Sequence, residues 1–194
     1  MSETRAQLKH IAIDQIQQAN LAAASFRELG KAAGIKSSSV HYHFQSRERL
    51  LTELLQDYDL KFFSELDAAT AGTHRPRQRL GALIDVFESY HKHRRQCMSL
   101  AYAASPHELS DASLGAVNTF LEHMERWVED ALQKASLLPI PKDELACVIV
   151  SALEGSLLFD RLSDSPRHLH AARSWIASLS LSLIHISEPT RPSS

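Results

Sequence analysis

Apolar residues recur at three- and four-residue intervals along almost the whole chain, and no stretch alternates with the period of two expected of a half-buried strand. The pattern predicts an all-α protein. Leu8, Ile11, Ala12, Ile16 and Ala19 form one stripe of a first helix over about residues 4–22, opened by Thr4-x-x-Gln7 as a capping box. Ser25-Phe-Arg-Glu28 is a second capping box, followed by Leu29, Gly30 and Ala33 and stopped by Gly34. Ser37 is expected to cap a third, brief helix whose Val40 and Phe44, four apart, face inward. From Ser46 a long helix carries Leu50, Leu51, Leu54, Leu55, Tyr58, Phe62, Phe63 and Leu66, ending near Gly72.

Five further helices follow. Pro76 opens one through Leu80, Leu83, Ile84, Phe87 and Tyr90, which runs into the basic stretch His91-Lys-His-Arg-Arg95. A short helix spans 98–104 and a long one 110–136, with Leu114, Val117, Leu121, Met124, Val128 and Leu132 on its stripe. The eighth, over 141–162, differs in kind: Leu145-Ala-Cys-Val-Ile-Val-Ser-Ala-Leu153 is apolar nearly all round and needs cover on two sides. One side is its own core; the other is expected to meet a second subunit across the small residues Ala152, Gly155 and Ser156. Pro166 starts the last helix, with Leu169, Ala172, Trp175, Ile176 and Leu179.

Composition narrows the class without naming a function. At 194 residues, 44% hydrophobic and 23% charged, the chain is neither collagen-like nor low-complexity nor disordered. No apolar run approaches the roughly 20 residues of a membrane span, and the first residues lack the apolar core of a signal peptide, so a cytoplasmic protein without membrane contact is expected. Cys97 and Cys147 are too few and too far apart for a disulfide framework or a zinc site. Leu181-Ser-Leu-Ile-His-Ile-Ser-Glu-Pro-Thr-Arg191 is the translation of a transposase-type sequencing adapter. Residues 181–194 are therefore read as adapter read-through, and the native chain is expected to continue past residue 180.

Charge is unevenly placed. Residues 1–49 hold seven Lys/Arg against four acids, while the remainder is acidic by five charges. A basic head on an acidic body suits a nucleic-acid-binding module joined to a partner or ligand domain. Within that head, two short helices around Gly34 make a helix-turn-helix if they cross tightly, and Gly30, which costs about 1 kcal/mol inside a helix, makes sense where a close crossing needs it. With Val40 and Phe44 inward, Ser37, Ser38, Ser39, His41 and Tyr42 turn outward, able to meet base edges and phosphates in a major groove.

The run from Ser25 to Leu51, with its capped helix, Gly-Ile, a recognition helix ending Tyr-His-Phe, and Ser-Arg-Glu at the start of the fourth helix, resembles the TetR/AcrR family of transcriptional regulators. Leu153-Glu-Gly155 is similar to the same family's eighth helix. The resemblance implies a DNA-binding domain over 1–48 and a helical ligand-binding and dimerisation domain over 49–180. It implies that Ser37, Ser38, Ser39 and Tyr42 approach bases, that Arg27 reaches the groove from the preceding helix, and that His41, His43 and Arg47 contact phosphates. Arg47 would share its phosphate with the N-terminus of the fourth helix. The partners implied are a near-palindromic DNA duplex, a second copy of the chain, and an unidentified small apolar or aromatic ligand that releases the repressor from its operator. Candidate lining residues for that ligand are Phe62, Phe87, Tyr90, Tyr102, Phe120, Met124, Trp127 and Phe159, each also readable as plain core. His41, Gly30 and Arg47 stand where the family usually has Tyr, Ala and Lys.

No cofactor, metal or catalytic group is expected. A di-iron bundle needs two Glu-x-x-His motifs, and only Glu88-Ser-Tyr-His91 is present; HExxH, GxSxG and phosphate-binding glycine loops are absent. The alternative functions are a helical module binding protein, and a regulator switched by thiol chemistry. For the latter, Cys97 follows a basic run that favours thiolate, although it reads more readily as a small buried hydrophobe, whereas Cys147 in the apolar eighth helix is expected to be inert.

Overall fold

The structure, a computed structural model, describes residues 3–135 and 138–185, with side chains as far as residue 179. Among the described residues there are nine α-helices and no strand. They are α1 (Glu3–Gln18), α2 (Phe26–Ala33), α3 (Ser37–Phe44), α4 (Arg47–Ala69), α5 (Pro76–Lys92), α6 (Met98–Ala103), α7 (Asp111–Ala131), α8 (Lys142–Asp160) and α9 (Arg167–His185). Short 3-10 turns sit at Leu21–Ala24 and Pro106–Glu108. Of the segment read as adapter, residues 186–194 lie outside the described residues.

The seventh helix ends at Ala131 rather than near residue 136, and three other helix ends differ from expectation, each for a local reason. Thr4 lies inside α1, so it does not cap it. The same helix stops at Gln18, because the Asn20 side chain accepts the Ala22 N–H at 3.0 Å and starts a 3-10 turn where the apolar pattern predicts more α-helix. At α3 the capping position falls to Lys36, whose side chain makes no capping bond, and Ser37 becomes the first helical residue. Ser25 does cap α2, accepting the Glu28 N–H at 3.3 Å.

The chain forms two compact units: Met1–Glu65 with Lys92–Glu122, and Leu66–His91 with His123–Ser194. In the first, Leu8, Ala12, Ile16, Leu29, Val40, Phe44, Leu50, Leu54 and Leu55 are buried as their periodicity predicts. Tyr58, Phe62 and Phe120 cluster with ring centroids 5.3 to 5.8 Å apart. Buried polar groups tie the helices together. The Gln96 N–H donates to the Gln17 carbonyl at 2.8 Å, and its side-chain amide donates to the Ile16 and Ala19 carbonyls at 3.0 and 3.1 Å. One residue thus satisfies three carbonyls that the end of α1 leaves without helical partners. Tyr102 donates its hydroxyl to the Leu51 carbonyl at 2.8 Å, and burial pushes its phenol well above the ordinary range.

In the second unit, Arg173 of α9 pairs with Glu88 at 2.6 Å and with Asp85, both on α5. Asp160, at the end of α8, is almost fully buried and accepts the His168 and Leu169 N–H groups at 3.0 and 2.8 Å. It caps α9 from another helix. Burial by itself would raise its pKa, but those two N–H donors and the His168 ring outweigh it and hold the carboxyl below the ordinary 3.8.

Two outcomes follow from this packing. A methyl at position 30 would stand 2.8 Å from the Ile35 carbonyl oxygen and 3.2 Å from the Ser37 nitrogen, whereas one at Gly81 meets nothing within 4 Å. Gly30→Ala is therefore expected to lose about 1–3 kcal/mol of stability, and Gly81→Ala to gain about 0.5–1 kcal/mol, both read from urea unfolding. Asp160→Asn is expected to cost about 1–2 kcal/mol at neutral pH. Because the folded pKa is depressed, this contribution is complete above about 3.8 and is lost as pH falls through the lower folded value, so wild type and variant converge in acid.

Candidate nucleic-acid interface

The two helices α2 and α3 meet at Gly30, and the turn between them depends on Gly34, whose φ of 68° lies in the left-handed region. The Gly34 and Ile35 N–H groups bond back to the Lys31 and Gly30 carbonyls at 3.3 and 2.9 Å, closing the helix end. Val40 and Phe44 are fully buried, which fixes the rotation of α3. Ser37, Ser38, Ser39 and His41 are exposed on its other side, and Tyr42 is 82% exposed, the aromatic face and hydroxyl both in solvent. This is the outward set expected from the spacing.

The other expected residues are placed as follows. His41 stands edge-on to Phe26, with ring centroids 5.9 Å apart, so α2 steadies its ring. His43 is half-buried beside Tyr42 and Phe44, and its carbonyl accepts Arg5 Nε at 3.3 Å. Arg27 is exposed and pairs with Glu28 at 3.2 Å. Arg47 is the first residue of α4, but its Nη2 donates to the Leu21 carbonyl at 2.8 Å and to Glu108 at 3.1 Å. Ser46 accepts the Arg49 N–H at 3.1 Å and caps the same helix end.

The basic charge of this region is partly spent on the fold. Arg5 pairs with Glu53, Lys9 with Glu53 and Asp57 at 3.2 and 2.6 Å, and Arg49 with Glu53 at 3.1 Å, which binds α1 to α4. Burial alone would raise the Glu53 pKa, yet hydrogen bonds from Lys9, Arg5 and Arg49 prevail and hold it below 4.5. Lys31 and Lys36 remain exposed, Lys36 directly before the serines of α3. Helix spacing gave no reason to single them out; the residual charge, once the paired cations are set aside, does.

The expected ligand-lining residues fall in both units. Phe62, Tyr102 and Phe120 are buried in the first; Phe87, Met124 and Trp127 are buried in the second, with Tyr90 half-buried and Phe159 58% exposed. Trp127 donates its indole N–H to Asp67 at 2.8 Å, so its one polar group is already used. Phe159 lines an open groove of about 470 Å³ with Leu162, Ser163, Ser165, Arg167 and His168.

The cysteines are placed against expectation at one position. Cys97 is fully buried, 3.0 Å from the Ser99 hydroxyl and 3.7 Å from that of Tyr58. Cys147, expected to be inert inside an apolar helix, is exposed. In the single chain the outer side of that apolar run, expected to meet a second subunit, is open, with Val148 and Leu158 exposed as well. Desolvation of the sulfur raises the Cys147 pKa, and the Glu125 and Asp143 carboxylates raise it further.

A tight two-helix module presenting a hydroxyl-rich, aromatic-tipped helix defines a helix-turn-helix protein, and the comparisons agree. Residues 10–54 match the family model described as bacterial regulatory proteins, tetR family. The HTH-type transcriptional repressor KstR2 of Mycobacterium tuberculosis is 29% identical over 97 residues, covering 50% of this chain and 48% of that protein. The match spans about half the length of this curated relative. A TetR transcriptional regulator from Legionella pneumophila superposes with a TM-score of 0.84 at 24% identity, over 92% of this chain and 97% of the other. A TetR-family regulator from Agrobacterium tumefaciens gives 0.83 at 17% identity, over 90% and 96%. The N-terminal module is thus similar to the tetR family model, and the chain shares the fold of these solved regulators.

The thiols provide a direct check on burial. A neutral maleimide added to native protein is expected to label Cys147 and leave Cys97 unmodified, with Cys97 labelled only after denaturation, as read by peptide mapping.

Proposed function

We propose that the protein is a sequence-specific DNA-binding transcriptional regulator, a repressor that acts as a homodimer on a near-palindromic operator and is released by a small apolar or aromatic molecule. The observation that carries this reading is the outer face of α3. Three consecutive serines, His41 and Tyr42 stand exposed on a helix whose crossing at Gly30 leaves no freedom in its angle. Short hydroxyls and one aromatic tip suit contact with base edges and a thymine methyl. The KstR2 relative is itself named a transcriptional repressor. The protein acts by binding, with residues 1–48 as the DNA-contacting segment and 49–180 as the ligand and dimerisation region.

Self-association is supported by α8 and α9. Val148, Leu158 and Phe159 are exposed on α8, Leu162 beyond it is 88% exposed, and Trp175 of α9 joins them. A methyl added at Gly155 meets nothing within 4 Å, which leaves room there for the helix of a second copy. A twofold protein needs a twofold site on DNA, with half-sites about one helical turn apart. No helix among the described residues is long and apolar enough to cross a membrane.

The test is selection of bound duplexes from a random pool. Recovery of a twofold-symmetric site is expected, and Tyr42→Ala and Ser38→Ala should each relax selection at particular base pairs by about 1–3 kcal/mol per position. Recovery of no duplex, or of sites unchanged by both substitutions, would sink the reading and leave a protein-binding module in its place.

A further inference from the structure

We propose that Glu108 withholds Arg47 from the DNA backbone, so that the turn at Pro106–Glu108 sets how many phosphates the protein neutralises. The inference rests on the DNA-binding reading and deepens it. It starts from the ion pairs of residues 1–49. Arg5, Lys9, Arg27 and Arg49 pair with Glu28, Glu53 or Asp57, all on α1 to α4. Arg47 reaches out of that set, to a carboxylate 61 positions away. Its availability therefore depends on a segment outside α1 to α4.

That segment is anchored to α4 by more than the ion pair. Thr52 of α4 and the fully buried Ser113 share a hydroxyl hydrogen bond at 2.9 Å, and the Ser110 hydroxyl donates to Ser113 at 3.2 Å. The Tyr102 hydroxyl on the Leu51 carbonyl fixes α6, immediately before the turn. Any shift of α6 or of the start of α7 would carry Glu108 with it.

The pair is also incomplete. Leu21 and Glu108 both accept from Nη2, while the Nε of Arg47 is buried with no hydrogen-bond partner. Nε and Nη2 together form the forked edge that a phosphate accepts from in bidentate fashion. In the observed arrangement that edge has lost water at one nitrogen and gained nothing there, so a phosphate is the better partner. Glu108, about one-third exposed beside the same guanidinium, opposes it twice, by occupying Nη2 and by repelling the anion.

The experiment measures binding to random-sequence duplexes, where phosphate contacts dominate, between about 50 and 200 mM salt. Wild type, Glu108→Gln, Arg47→Ala and the double variant are compared, with thermal melts confirming that all four fold. Glu108→Gln is expected to tighten binding on the order of fivefold and to steepen the slope of log affinity against log salt by about one per protomer. Arg47→Ala should abolish the gain in the Glu108→Gln background. An unchanged slope overturns the proposal, as does weaker binding by Glu108→Gln, which would make Glu108 a support for Arg47. A gain that persists without Arg47 overturns it too, showing only general repulsion. A symmetric site recovered by selection alongside any of these results leaves the DNA-binding reading intact; absence of all duplex binding removes both.

Discussion

The approach of two backbones at Gly30 governs the geometry of the N-terminal unit. The position a side-chain carbon would occupy lies 2.8 Å from the Ile35 carbonyl oxygen, closer than such contacts are tolerated, so α2 and the start of α3 meet backbone to backbone. With the crossing set, burial of Val40 and Phe44 leaves one rotation for α3, and that rotation places Ser37 to Ser39, His41 and Tyr42 in solvent. The exposed face of α3 is thus a consequence of a missing methyl group as much as of the residues on it. A protein that tolerated a wider crossing could carry the same serines and present them at a different angle to a groove.

Polar groups then hold this module against the segment 95–113, and they do so through the main chain. Gln96 takes up carbonyls at the end of α1, Tyr102 one within α4, and Arg95 pairs with Asp14 at 2.8 Å. Buried donors on carbonyls are expensive to leave unmade, so this attachment resists gradual loosening and favours discrete positions. Such a connection suits the proposed function, in which the DNA-contacting helices move as one body.

Much of the fold was legible in the sequence because helical periodicity is a strong signal in a chain with few Gly and Pro. The stripes of α4, α5 and α7, the Ser25 cap, the Gly34 stop and the inward Val40 and Phe44 all follow from spacing. What spacing could not show were interactions between elements distant in sequence. Asn20 ended α1 by a bond two residues ahead that competes with apolar continuation, and Asp160 caps α9 across a loop from another helix. The exposure of Cys147 was missed for a related reason: an apolar helix signals that cover is needed, without saying whether the cover belongs to the same chain. At the interface, outward orientation was readable, but the engagement of Arg47 by Glu108 depends on the packing of a segment whose sequence carries no periodic signature.

Charge counting illustrates the same gap in quantitative form. The basic excess of residues 1–49 suggested an electrostatic footprint for DNA, yet five of its seven cations are paired with carboxylates inside the unit. Each such pair contributes only about 0–1 kcal/mol when partly exposed, so the pairing is not where the stability resides; its effect is on what remains available to a polyanion. Non-specific binding scales with the number of phosphates neutralised, and a head with most of its cations already engaged holds little of that affinity. On the proposed DNA-binding function, recognition then falls more heavily on hydroxyls, backbone N–H groups and Tyr42, which act only at contact distance. A regulator of the proposed kind built this way would gain discrimination between sites by lowering its attraction to DNA in general, and the acidic partners of its arginines would then bear on recognition without contacting a base.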